Sequence, residues 1–119
     1  SASRVPGDEE ARMIARIWHG AVPAHRREAY RACLARTGVP DSRGTPGNLG
    51  VTVLERLEGD VAHFVFVSLW ESLDTIRAFS GEPVEAARYY PEDREYLLEL
   101  EPTVTHYEVA IQVPPSGTG

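Results

Sequence analysis

The 119-residue sequence contains no lysine, and all 12 of its Lys/Arg positions are arginine. Schiff-base catalysis and a lysine-bearing phosphate loop are therefore excluded. With a single cysteine, Cys33, there is no internal disulfide and no thiolate cluster for zinc or iron–sulfur. Cys33 falls on the apolar face of a helix-spaced segment, where a small buried hydrophobe is the ordinary role and a nucleophile the exception. Basic residues are outnumbered 12 to 18, for a net charge of -6, so the phosphate-neutralising surface of a nucleic-acid binder is missing. No run approaches the roughly 20 apolar residues that span a bilayer, and the polar, acidic residues 1–10 do not read as a signal peptide. The expectation is a soluble cytoplasmic protein with no nucleic-acid or membrane partner.

What is present suffices for one core. At 42% apolar content this length supports a single domain. Residues 1–10 and 114–119 carry Pro, Gly, Ser and charge without an apolar period and are expected to be flexible tails, leaving a folded unit over 11–113.

Alternation over 12–18 predicts a first strand, with Met13, Ala15 and Ile17 on one face and Ile14, Arg16 and Trp18 on the other. Ala29, Tyr30, Cys33 and Leu34 recur at helical spacing within 24–37, and Gly38 supplies a stop. The Pro- and Gly-containing stretch 39–48 predicts a loop, 49–56 a second strand, 58–60 a turn, and 61–70 a third strand. Ser72 is a natural N-cap for a helix burying Leu73, Ile76 and Phe79 and ending near Gly81. A short helix over 84–89, a turn or helix over 91–98 and a last strand over 103–113 complete the reading.

Strand, helix, strand, strand, helix, strand is the βαββαβ ferredoxin-like plan, an α+β fold with both helices on one face of a four-stranded antiparallel sheet. The other face would be bare. Yet the third strand puts Phe64, Phe66 and Trp70 on one side and Val65, Val67 and Leu69 on the other. Leaving three large side chains wet costs about 1.5–3 kcal/mol each, a large share of a small domain's stability. A second copy of the chain is the simplest cover, and an obligate homodimer is expected.

Met13-Ile-Ala-Arg-Ile-Trp18, the strand-to-helix junction Ser68-Leu-Trp-Glu-Ser-Leu73 and the closing His106-Tyr-Glu-Val109 together resemble the antibiotic-biosynthesis-monooxygenase (ABM) family of dimeric α+β barrels, over residues 12–109. The resemblance implies two ferredoxin-like sheets joined as a barrel, with a pocket in each subunit between sheet and helices. It also places a pocket Trp at Trp70. Members include cofactor-independent oxygenases of anthrones and hydroquinones as well as heme-degrading enzymes, so membership alone assigns no reaction. The heme-degrading branch would require an Asn on the first strand and a His ligand in the helical segment after the third-strand Trp. Trp70 matches, but the first strand offers Arg16 and Trp18, and 72–98 offers Arg88, Tyr89 and Tyr90 but no His.

His63 and His106 lie in predicted strands, where an imidazole in an apolar pocket can serve as a general base near neutral pH. The alternative for each is a hydrogen-bonded imidazole at a sheet edge or interface. His19 and His25 read as solvent-facing. His106 and Glu108 share a strand face and His63 would complete a metal set. In the ferredoxin-like order, however, the first strand separates them by about 10 Å, twice the strand spacing, so no metal site is expected. Trp18, Trp70, Tyr89, Tyr90 and Tyr107 are candidates to line a slot for a flat aromatic substrate, or to fill the core or the dimer seam. Arg16, among apolar neighbours, needs an acidic partner such as Glu108. Without one it becomes a stabiliser of an anion or enolate. Glu92, Asp93, Arg94 and Glu95 read as a solvated helix start.

The functional expectation is a cofactor-independent monooxygenase-type tailoring enzyme acting on an electron-rich aromatic. Its catalytic candidates are His106 and His63, with Trp70, Trp18, Arg16, Tyr89 and Tyr90 binding the substrate. No motif for nicotinamide, flavin or metal is found. A non-catalytic dimer binding a hydrophobic metabolite, and a proton-transfer isomerase or cyclase, are the alternatives.

Overall fold

A computed structural model describes residues 13–113, and the tails expected at 1–10 and 114–119 lie outside the described residues. The sheet is built from β1 (Ile14–Pro23), β2 (Asn48–Glu58), β3 (Val61–Trp70) and β4 (Thr105–Glu108). The order is β2-β3-β1-β4 with every neighbouring pair antiparallel, which is the expected ferredoxin-like arrangement. β2 and β3 form a hairpin whose turn passes through Gly59 at φ 60°, a conformation glycine adopts without a Cβ penalty.

Strict alternation decides which side chains face the helices. Every second residue of β1 from Ile14 to Val22 is buried, and β3 buries Ala62, Phe64, Phe66, Ser68 and Trp70 in the same rhythm. The register Ile14↔Trp70, Trp18↔Phe66 and Val22↔Ala62 puts both sets on one face. Against that face lie α1 (Arg27–Arg36), which contributes Tyr30, Cys33 and Leu34, and α3 (Leu73–Ser80), which contributes Ile76. The core falls into two clusters: a larger one around Trp18, Tyr30, Phe64 and Phe66, and a smaller one of Ile14, Trp70, Ile76 and Val84. Cys33 is fully buried, in keeping with a packing role.

Gly20 interrupts the large residues of β1 for a local reason. A Cβ there would stand 2.3 Å from the Trp18 ring and 2.8 Å from a Leu97 methyl, so the indole lies along the strand only because this position has no side chain. α3 begins at a capping box in which the Ser72 hydroxyl accepts from the Thr75 N–H and the Thr75 hydroxyl accepts from the Ser72 N–H, each at 3.3 Å.

Four local readings differ. β1 runs five residues beyond Trp18, because Gly20 and Val22 continue the alternation and pair with Phe64 and Ala62. The expected first helix is a 3-10 turn (Ala24–Arg26) followed by α1, and part of the expected loop is a second short helix, α2 (Gly38–Arg43). Pro40 is tolerated there because it sits in the first turn, where its missing N–H has no intrahelical partner. The helix expected over 84–89 is absent: Val84 and Glu85 form a turn in which the Ala86 N–H donates to Pro83 O, and Ala86 bridges Thr103. A four-residue helix, α4 (Asp93–Tyr96), follows, and regular pairing in β4 ends at Glu108 rather than 113.

The opposite sheet face carries half-buried Ile17, Val65, Val67 and Leu69 beside exposed Leu54 and Tyr107. Its apolar character matches the two-sided pattern of the third strand.

Candidate functional site: a cationic, aromatic-walled cleft

Arg16 sits between Ile14 and Trp18 on the helix-facing side of β1 and is 4% exposed. Backbone carbonyls hold it: Nη1 donates to Val84 O at 2.9 Å and Nη2 to Ala86 O at 3.0 Å. Nη1 also meets His106 Nε2 at 3.1 Å, across the β1–β4 register that sets Arg16 opposite His106. The ion pair expected with Glu108 is therefore not how this cation is held. The chain at 84–86 offers carbonyls in its place, and among the described residues the hydrogen-bond partners of the guanidinium are these carbonyls and the imidazole, with the Phe79 ring centroid 5.8 Å from Cζ. Burial, reinforced by the like charge of Arg88, lowers the Arg16 pKa to about 10. It remains protonated at neutral pH.

A guanidinium only donates, so His106 Nε2 accepts, and the neutral ring carries its hydrogen on Nδ1. Burial and the neighbouring Arg16 charge both push the His106 pKa down. The imidazole is thus kept neutral, with its basic nitrogen occupied.

Arg16 opens on a cleft between the sheet and the helices whose apolar walls are Trp18, Leu34, Phe66, Phe79 and Val104. The polar lining is Arg16, Tyr30, Ser42, Arg88, Tyr90 and Asp93. The space, counted out to its open mouth, is about 440 Å³. Arg88 pairs with Asp41 at 3.1 Å and lies 4.9 Å from the Phe79 ring centroid, a cation–π distance. The Tyr90 hydroxyl donates to the same Asp41 carboxylate.

Asp93 corrects the sequence reading most sharply. Rather than starting a solvated helix it is 3% exposed, with Oδ1 accepting from the Tyr30 hydroxyl at 3.1 Å and Oδ2 from the Tyr90 N–H at 2.7 Å. Burial raises its pKa, only partly offset by those two donors. A buried carboxylate with raised proton affinity at a cleft wall is a plausible proton acceptor on physical grounds.

Two buried polar atoms have no hydrogen-bond partner among the described residues, Ser42 Oγ and Trp18 Nε1, and both belong to residues lining this cleft. Burial pushes the Tyr89 phenol up and the nearby Trp18 indole offsets part of that shift. The approach falls short of hydrogen-bond geometry, and the Tyr89 hydroxyl goes instead to the Glu101 carbonyl.

Of the sequence candidates, Arg16, Trp18 and Tyr90 line the cleft, with His106 directly behind Arg16. Trp70 is fully buried, bonded to Ser68 Oγ at 2.9 Å and covered by Phe79, so its neighbour rather than Trp70 forms the wall. Tyr89 packs edge-on against Trp18 without lining the space. Tyr107 is exposed on the other face.

His63 also lies on that other face, and His19 with it, its side chain 37% exposed. The two rings stack, His19 Nε2 meets His63 Nδ1 at 3.0 Å, and their outer nitrogens reach Glu101 at 2.6 Å and Glu58 at 2.9 Å. The sheet therefore separates the two histidines proposed as bases. No group of three or more His, Cys, Asp or Glu side chains suited to a metal occurs among the described residues.

The cleft does not fit heme. No lining residue is a His, Cys or Met. Its two tyrosines give their hydroxyls to Asp93 and Asp41, and burial pushes both phenols up, away from the tyrosinate a heme iron would bind.

No protein-family model matches the sequence, and no curated protein matches it. Solved structures do. The heme-degrading protein Rv3592 of Mycobacterium tuberculosis superposes with a TM-score of 0.59 at 22% identity, over 86% of this chain and 99% of that one. A Bacillus cereus protein described as an antibiotic biosynthesis monooxygenase gives 0.61 at 12% identity, over 87% and 98%. The ActVA-Orf6 monooxygenase of Streptomyces coelicolor, in complex with nanaomycin D, gives 0.56 at 18% identity, over 92% and 97%. The chain has the ferredoxin-like α+β fold of these ABM-type proteins.

The downward shift of His106 has a signed consequence. Because its folded pKa lies below the ordinary value of 6.5, its contribution is fully present above pH 6.5 and lost as pH falls below it. Urea midpoints measured from pH 8 to pH 5 should fall more steeply in the wild type than in His106→Gln. Parallel curves would show that His106 is not held neutral by Arg16.

Proposed function

We propose that the protein is a monooxygenase-type tailoring enzyme for an electron-rich aromatic small molecule of the anthrone or hydroquinone kind, working as a homodimer with no heme, flavin or metal. The observation that supports this reading is Arg16, a buried cation at a cleft walled by aromatic rings. A fixed guanidinium stabilises the anion formed when a phenol or enol loses its proton, and that anion is the form able to give an electron to dioxygen. The reaction balances without a reductant: a ring CH₂ and O₂ become C=O and H₂O.

Asp93, the carboxylate among the cleft-lining residues, is the proton acceptor in this reading. His106 positions Arg16 through its occupied Nε2. His63, on the opposite face, is left out of this chemistry. The substrate ring lies in the open cleft against its aromatic walls, Trp18, Phe66 and Phe79.

Oxygen uptake by metal- and flavin-free protein, measured against anthrones, naphthols and hydroquinones, tests the reading. Uptake above the uncatalysed rate is expected, with a loss of about 10²–10³-fold in kcat for Arg16→Gln, as for removal of an oxyanion donor. Uptake lost in His63→Ala but kept in Arg16→Gln would place the chemistry on the wrong face. Tight binding without uptake would point to a metabolite-binding dimer or an isomerase.

The second copy is proposed to cover the open sheet face, where half-buried Ile17, Val67 and Leu69 each gain the remaining part of the roughly 1.5–3 kcal/mol of a full side-chain burial. Sedimentation equilibrium at low micromolar concentration should give a dimer for the wild type and a monomer for Val67→Glu. A wild-type monomer would contradict the proposal.

A further inference from the structure

Arg16 has donors to spare. A guanidinium carries five N–H groups. Among the described residues, the two on Nη1 go to Val84 O and His106 Nε2 and one on Nη2 goes to Ala86 O. Nε–H and the second Nη2 hydrogen remain. Nε and Nη2 form one edge of the plane, the edge that a carboxylate bridges with two parallel hydrogen bonds.

Three further features point the same way. Arg88 is a second guanidinium lining the cleft, close enough to Arg16 for its charge to be felt there, and its pairing with Asp41 leaves Arg16 uncompensated by it. The Ser42 hydroxyl, 1% exposed, is a cleft-lining donor with no partner among the described residues. The cleft, about 440 Å³ counted out to its open mouth, has aromatic walls at Trp18, Phe66 and Phe79 that suit the ring of such an acid.

We propose that the cleft recognises an aromatic acid, with the carboxylate seated on the Nε/Nη2 edge of Arg16, a further ligand oxygen accepting from Ser42, and the ring in the aromatic mouth. This rests on reading the cleft as the aromatic-binding site and narrows its ligand to one already anionic before any proton is removed. A buried cation held only by neutral groups is unfavourable in the empty protein, and an anion relieves it. Asp93 does not supply that relief, since its oxygens are taken by Tyr30 and Tyr90.

The test compares 1-hydroxy-2-naphthoate, its methyl ester and 1-naphthol by intrinsic fluorescence titration of the full chain. The acid is expected to bind at least tenfold more tightly than the ester. Arg16→Gln should bring the acid to the ester's affinity while leaving the ester within twofold. Arg88→Gln, at a more exposed position, serves if Arg16→Gln fails to fold, and should weaken the acid at least threefold and not the ester. Raising the salt concentration should weaken the acid alone. Equal affinities for acid and ester in the wild type would overturn the anion site and leave the aromatic cleft standing. Failure of all three compounds to bind would remove both.

Discussion

The structure turns on a positive charge fixed inside a sheet. Arg16 occupies a position that alternation makes a core position, between Ile14 and Trp18 on the covered face of β1, one of the two central strands. A charge there is tolerable only if hydrogen-bonded. Carbonyls from a segment 68 and 70 residues away supply those bonds, which ties the stretch after α3 to the first strand of the sheet. That tie holds Arg88 and Tyr90 at the rim of the same cleft, and it places His106 behind the guanidinium rather than in the open space. The polarity of the site, the neutral state of His106 and the path of residues 82–90 are thus consequences of one buried cation.

The sheet divides the polar chemistry into two independent sets. On the covered side lie Arg16, His106, Asp93, Ser42 and the aromatic walls of the cleft. On the open side lies the chain Glu101, His19, His63, Glu58, among apolar residues suited to a second subunit. Alternation along β1 and β3 makes the division unavoidable, because neighbouring positions on a strand point to opposite faces. Two histidines that look equivalent in the sequence therefore serve different environments. The functional reading rests on the covered side alone.

The fold was largely legible because its signals are local. Period-two patterns in β1 and β3, the turn around Gly59 and the Ser72 cap each act within a few residues, and together they fix the strand order. The covered face was legible too, since Trp18, Phe64 and Phe66 follow from parity. The site was only partly legible, because its decisive contacts are distant in sequence. Asp93 sits in a run of charges that reads as solvated, and the hydroxyl of Tyr30, 63 residues earlier, joins the Tyr90 N–H in satisfying it where it is buried. Ser42 was hidden in a Pro- and Gly-containing stretch that turns out to be helical. The Arg16–Glu108 pair was a reasonable expectation from strand parity, but it overlooked backbone carbonyls, which no side-chain pattern reveals. Trp70 was correctly placed at the strand end and wrongly placed at the surface of the pocket, since Phe79 of the following helix covers it.

The most direct test of the account is where a small aromatic anion touches the protein. The side-chain N–H resonances of Arg16, assigned by comparison with Arg16→Gln, can be followed by NMR as 1-hydroxy-2-naphthoate is added. The account predicts that the Arg16 Nε–H shifts and exchanges more slowly, together with backbone amides of Ser42 and Phe79, while those of His63 and Val65 stay in place. Movement confined to His63, Val65 and their neighbours on the open sheet face, with Arg16 unaffected, would contradict it.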